Sequence, residues 1–140
     1  MVRCRCVEFF QSIPLPQKQD NMKQIIIADD DPGIRDIFEL ILKRAGYSVT
    51  IFSNGEALMT DEFELPDLFI LDKQLSGVDG LQVCQYLKTH DVTKNIPVIL
   101  ISASPYVEKL ANEAGADDFI EKPFKTKALI ELMEKHLNKN

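Results

Sequence analysis

From residue 23 onward, short β-favouring runs alternate with stretches of helical period, and that alternation leaves few architectures open. The runs are Ile25–Ala28, Ser48–Ile51, Leu68–Leu71, Val98–Ile101 and Asp118–Ile120. The first, third and fourth are apolar at every position, as strands covered on both faces should be. Between the first two runs, Ile34, Ile37, Phe38, Ile41 and Ala45 repeat at helical spacing, with Arg35, Asp36, Glu39 and Lys43 on the other side. Val107, Leu110, Ala111 and Ala114 repeat the pattern, as do Leu129, Leu132, Met133 and Leu137. Residues 54–64 and 78–90 supply two weaker helical stretches. Pro32 and Gly46 bracket the first helix, and Ser104-Pro105 and Gly115 the fourth. Five strands alternating with five helices imply βαβ units with right-handed crossovers, hence an α/β protein whose parallel sheet lies between helix layers.

The length of 140 residues suits one domain with a full core. That domain is expected over 22–140, preceded by an extension, 1–21, that has Pro14 and Pro16 but no sustained period and is expected to be poorly ordered. Met22 directly precedes the first strand and is the expected native start. Intact mass of the natively expressed protein tests this. No apolar run approaches the roughly 20 residues that span a bilayer, so no membrane insertion is expected. The basic start through Arg3 and Arg5 is interrupted at Glu8, unlike a secretory signal. A net charge of −6 argues against direct nucleic-acid binding, which needs clustered Lys and Arg. Cys84 reads as a small buried residue, Cys4 and Cys6 form a lone C-x-C, and a reducing, cytoplasmic location fits three unpaired cysteines. His90 and His136 lack partners at metal-ligand spacing and read as surface residues.

In such sheets, ligands gather beyond the carboxyl ends of the strands, where strand order reverses. The residues there are Asp29, Asp30 and Asp31 after the first run, Asp72 after the third, Ser102 after the fourth and Lys122 after the fifth. Asp31, just before Pro32, reads as a helix cap. Singly, each of the others could also be a cap or a solvated side chain. Together they place carboxylates, a hydroxyl and an ammonium on one rim. Asp29, Asp30 and Asp72 would crowd three like charges, which a bound cation or nearby ammonium would relieve. Oxygen-only donors with room for water favour Mg²⁺, with the Gln74 backbone carbonyl as a further ligand. A carboxylate beside Mg²⁺ and Lys can attack phosphorus, giving an aspartyl-phosphate. Such a transfer asks for in-line positioning and cations on the equatorial oxygens. Mg²⁺, Lys122 and the Ser102 hydroxyl with a backbone N–H would each take one oxygen.

The stretches Ile25-Ile26-Ile27-Ala28-Asp29-Asp30-Asp31-Pro32, Pro66–Asp72, Gly77-Val78-Asp79-Gly80, Pro97–Ala103 and Phe119-Ile120-Glu121-Lys122-Pro123-Phe124 resemble the receiver domain of bacterial two-component response regulators. The resemblance covers 23–138 and implies a flavodoxin-like (βα)₅ fold with strand order 2-1-3-4-5. It implies Asp72 as phosphorylation site, Asp29 and Asp30 as the acidic pair for Mg²⁺, and Lys122 as phosphate-contacting lysine. It further implies Ser102 and Phe119 as the switch hydroxyl and aromatic, and a cis Lys122–Pro123 bond. Ser76 stands where the family usually has proline, which suggests a looser loop. Lys73 and Gln74 put polar groups directly after the acceptor.

By this resemblance the chain is a switch that catalyses only its own phosphorylation and dephosphorylation. A sensor histidine kinase or histidine phosphotransfer protein would be the donor. Phosphorylation would draw Ser102 inward, let Phe119 turn, and repack the surface of the fourth helix, fifth strand and fifth helix. The chain ends just past the fifth helix, so the expected output is protein contact, with a downstream target or a phosphorylation-dependent homodimer. Two rivals share the architecture. A haloacid-dehalogenase-type phosphatase wants a second Asp where Gln74 stands, and a nucleotide module wants a Gly-rich loop where Asp29-Asp30-Asp31-Pro32 stands. A third, a degenerate receiver serving only as a binding platform, conflicts with the complete set of acceptor-site residues.

Overall fold

The computed structural model describes residues 22–60 and 62–138, and the 1–21 extension with Cys4 and Cys6 lies outside that range. The strands are β1 (Gln24–Ala28), β2 (Ser48–Phe52), β3 (Leu68–Asp72), β4 (Val98–Ser102) and β5 (Asp118–Glu121). All neighbours pair in parallel, in the order β2-β1-β3-β4-β5. This is the sheet expected from the apolar runs. The helices are α1 (Pro32–Arg44), α2 (Gly80–Thr89), α3 (Val107–Glu113) and α4 (Thr126–Leu137). Among the described residues no helix is long and apolar enough to cross a membrane.

The pleat sends alternate residues of each strand to opposite faces, and two cores result. Ile26, Ala28, Phe69, Leu71, Val98 and Leu100 pack against α2 and α3. Ile25, Ile27, Leu68, Ile70, Ile99 and Ile101 pack against α1 and α4 through Phe38, Leu42, Leu129 and Met133. Burial on both faces explains why three runs carry no polar residue.

Three expectations are corrected. The helix expected over 54–64 is only a 3₁₀ turn, Glu56–Met59. Its one buried residue, Leu58, is followed at i+3 and i+4 by Asp61 and Glu62, so no apolar stripe continues to pull a helix onto the sheet. In α1 the buried positions are Phe38 and Leu42, whereas Ile37 is 53% exposed. His136 is no surface residue: it is buried with Leu129 and Met133 on the inner face of α4, and its Nε2 lies 2.9 Å from Asp118 Oδ2. The spacing 129, 133, 136 is itself helical, and Asp118 supplies the polar partner that lets an imidazole sit there.

Candidate phosphoryl-acceptor site

The strand order makes β1 the neighbour of both β2 and β3, so the direction of chain winding reverses beside β1. The carboxyl ends of β1, β3, β4 and β5 meet there. Asp29 follows β1 and is fixed by its backbone, whose N–H donates to Phe52 O and whose carbonyl accepts from Arg35 Nη1 at 2.9 Å. Asp72 is the last residue of β3 and Ser102 the last of β4. Lys122 follows β5, and its N–H donates to Ser102 O at 2.8 Å. Lys73 N donates to Ile101 O at 2.8 Å, which holds the start of the β3–α2 loop against β4.

Lys122 ties the carboxylates together. Its Nζ lies 2.8 Å from Asp72 Oδ2, a hydrogen-bonded ion pair, and 3.6 Å from Asp29 Oδ2, an ion pair too long for a hydrogen bond. Burial opposes the lysine's charge, but the Asp72 hydrogen bond and the two carboxylate charges outweigh it and hold its pKa above the usual lysine value. Asp29 is 1% exposed. Burial, then the nearby Asp72 carboxylate, push its pKa up to about 6, against the opposing pull of the Asp31 N–H and Lys122. Gln74 N donates to Asp72 Oδ1 at 3.1 Å. Ser102 is buried, with its Oγ accepting from Ser104 N at 3.1 Å. Asp72, Gln74, Ser102, Ala103, Ser104 and Lys122 line a cavity of about 240 Å³, roomy enough for a phosphoryl group.

Asp30 stands apart. It is exposed, and its Oδ2 accepts from Ser76 Oγ at 3.2 Å. Among the described residues no three acidic or imidazole groups are gathered closely enough to grip a metal together. Like charge on Asp29 and Asp72 favours the outward position of Asp30, and the Ser76 hydroxyl gives it a partner there. The donor set nonetheless suits a hard divalent cation. The chemistry is oxygen-only, and Asp29 Oδ2 is buried without a hydrogen-bond partner beside a second carboxylate. A cation would complete that unsatisfied atom.

Other expectations find their places. Asp31 caps α1, its Oδ1 accepting from Gly33 N and Ile34 N. The Lys122–Pro123 bond is cis. Phe119 is half-buried on β5, against the core under α2 and α3. Cys84 is fully buried, and burial pushes its thiol up to about 12.

Three residues that the sequence singled out make contacts it did not foretell. Gly80 opens α2 so close to the end of β3 that an added Cβ would lie 2.2 Å from Asp72 O. Lys73 pairs with Asp79 at 3.0 Å, directing the ammonium next to Asp72 toward the start of α2. Ser76 anchors Asp30. The Gly77–Gly80 spacing and the odd serine were the available signals.

Residues 25–134 match the family model of the response regulator receiver domain. The DNA-binding response regulator MtrA of Mycolicibacterium smegmatis is 33% identical over 125 residues, 86% of this chain and 54% of that protein. The chain thus spans about half the length of the curated relatives it matches. Among solved structures, a CheY-like response regulator receiver domain protein from Methanospirillum hungatei superposes with a TM-score of 0.76 at 30% identity, covering 85% of this chain and 96% of that one. The response regulator TrrA of Thermotoga maritima, solved in complex with Mg²⁺-BeF, superposes with a TM-score of 0.74 at 33% identity, covering 83% and 100%.

Proposed function

The chain belongs to the response regulator receiver domain family, and from that premise we propose that Asp72 accepts a phosphoryl group from a sensor histidine kinase or histidine phosphotransfer protein in a Mg²⁺-dependent reaction. Receivers are the phospho-acceptor switches of two-component systems, and this chain is one of them. The observation that carries the residue assignment is the Lys122 ammonium, held 2.8 Å from Asp72 Oδ2 at the mouth of the acceptor cavity.

Asp72 is a poor nucleophile unless its partners free one oxygen. Lys122 grips Oδ2 and Gln74 N grips Oδ1, so the carboxylate is oriented rather than free to rotate. As a carboxylate oxygen bonds to phosphorus, the P–N bond to the donor histidine breaks and its electron pair returns to the imidazole. Lys122 then passes from the carboxylate to one phosphoryl oxygen, and the Ser102 hydroxyl with the backbone N–H of Ala103 receives another. Asp29, Asp30, Asp72 and the Gln74 carbonyl would hold Mg²⁺, which supplies positive charge to the remaining oxygen and to the crowded carboxylates. The same residues would serve hydrolysis, so the chain acts on itself and turns over no other substrate.

The donor docks beside the acceptor. Ile34, Ile37, Ile41 and Phe124 line an apolar cavity of about 460 Å³ whose edge is Ala103 and Lys122, residues shared with the acceptor cavity. A phosphohistidine protein covering the exposed Ile37 would bring its imidazole to that rim. Output runs the other way. Ser102 moving toward the phosphoryl oxygens vacates space for Phe119, and the α3–β5–α4 surface repacks for a downstream protein or a second copy of the chain, in the cytoplasm.

Acetyl phosphate labelling tests this. The wild-type chain is expected to incorporate label only with Mg²⁺, and Asp72→Asn to incorporate none. Retained labelling in Asp72→Asn would end the assignment.

A further inference from the structure

We propose that Ser76 sets the Mg²⁺ affinity of the rim by holding Asp30 away from the Asp29–Asp72 pair. The inference rests on the reading that these carboxylates take Mg²⁺. Three observations carry it. Ser76 Oγ donates to Asp30 Oδ2 at 3.2 Å, joining residues 46 apart in sequence. Asp29 and Asp72 both face Lys122, yet among the described residues no third carboxylate joins them closely enough to grip a metal.

The third is that Ser76 is itself fixed. It pairs with Asn54 in an isolated parallel bridge at the end of β2, and its carbonyl accepts from Val78 N at 3.0 Å. Gly77 then turns with φ +83, where an added Cβ would meet the Glu56 carboxylate at 3.0 Å. The hydroxyl is therefore presented from a pinned backbone.

The sign follows from the geometry. Asp30 must leave its outward position to share a cation with Asp29 and Asp72. The hydrogen bond to Ser76 exists only in the outward position, so it competes with the ion. A hydroxyl bonded to an ionised carboxylate is stronger than a neutral pair, but this one is exposed, which reduces it. Removing the hydroxyl should tighten Mg²⁺ binding about two- to tenfold. This chain would thus demand more Mg²⁺ before its acceptor is ready.

Isothermal titration of Mg²⁺ into the purified full chain tests the proposal, with wild type, Ser76→Ala and Ser76→Thr compared at one pH. Expected are a two- to tenfold lower Kd for Ser76→Ala and a Kd within about twofold of wild type for Ser76→Thr, since threonine restores the hydroxyl. A general loosening of the loop would not be rescued that way. In wild type, the Ser76 side-chain NMR resonances should move with the same midpoint as the heat. If wild type binds Mg²⁺ while Ser76→Ala binds equally or more weakly, or if Ser76 resonances stay still at saturation, the proposal is overturned and the Mg²⁺ reading survives. If wild type takes up no Mg²⁺, both fall.

Discussion

Asp29 carries a charge that its own surroundings oppose. Unfolded, this carboxyl has the ordinary value of 3.8, and folded it sits at about 6. Between those values the folded state binds the extra proton, so stability falls as pH rises through the window and stays lower above it. Without Mg²⁺ the protein should be more stable at pH 5 than at pH 8, by on the order of 1 kcal/mol from this group, since only about one pH unit of the raised titration lies above pH 5. Urea denaturation at the two pH values checks this, and Asp29→Asn should flatten the difference. Saturating Mg²⁺ should flatten it too, by stabilising the carboxylate. Gly80 has no such latitude. With a Cβ 2.2 Å from Asp72 O, Gly80→Ala must displace the Asp72 backbone or the start of α2. A cost of about 2–3 kcal/mol in urea is expected, with acetyl phosphate labelling slowed as well. At this scale the sequence revealed which residues reach the rim, because the end of each apolar run marks it. It did not reveal rotamers. Asp30 turning to Ser76 depends on a loop that only the folded chain brings alongside.

Elements would carry the rim's state to the proposed partner surfaces. The α1 face departs from the periodicity in one respect: Ile37 shares the helical spacing of Phe38 and Ile41 but is 53% exposed and outside the core cluster that holds them. A periodic apolar residue left exposed in the cavity that Lys122 also lines fits the proposed donor-docking role. Ile37→Glu should leave acetyl phosphate labelling unchanged while slowing transfer from a phosphorylated histidine phosphotransfer protein at least tenfold; equal slowing with both donors would contradict a docking role. At the far end of the sheet, His136 joins α4 to the start of β5. Burial alone would raise the Asp118 carboxyl, but His136, the Phe119 N–H and Lys135 outweigh it and hold it below its ordinary value. Its contribution is therefore present above that ordinary value and lost as pH falls through the lowered one. His136→Ala should cost about 1–3 kcal/mol at pH 7 by chemical denaturation. The same carboxylate accepts from Phe119 N at its other oxygen, so β5 is anchored one residue from the aromatic proposed to switch. The 3₁₀ turn after β2 was the element least legible in advance. Its local composition permits a helix, and only the lack of a continuing apolar stripe forbids one.

For the molecule as a whole, β1, β3 and β4 sandwiched between two cores were legible because double burial leaves no polar residue in a strand. Their order could be expected only from the family resemblance, since pairing between runs leaves little trace in a single chain. That order makes β1 and β3 neighbours and so puts Asp29 beside Asp72 under one ammonium. The central claim is that charge added there is felt at the α3–β5–α4 surface. The measurement that tests it most directly is an amide NMR spectrum of the full chain before and after Mg²⁺ with beryllofluoride, a phosphoryl mimic. We expect resonances of Lys73, Gln74 and Ala103 to shift together with those of Phe119, Leu110 and the first turn of α4. Shifts confined to the rim would leave an acceptor without a switch, and a spectrum that does not change would contradict the acceptor itself.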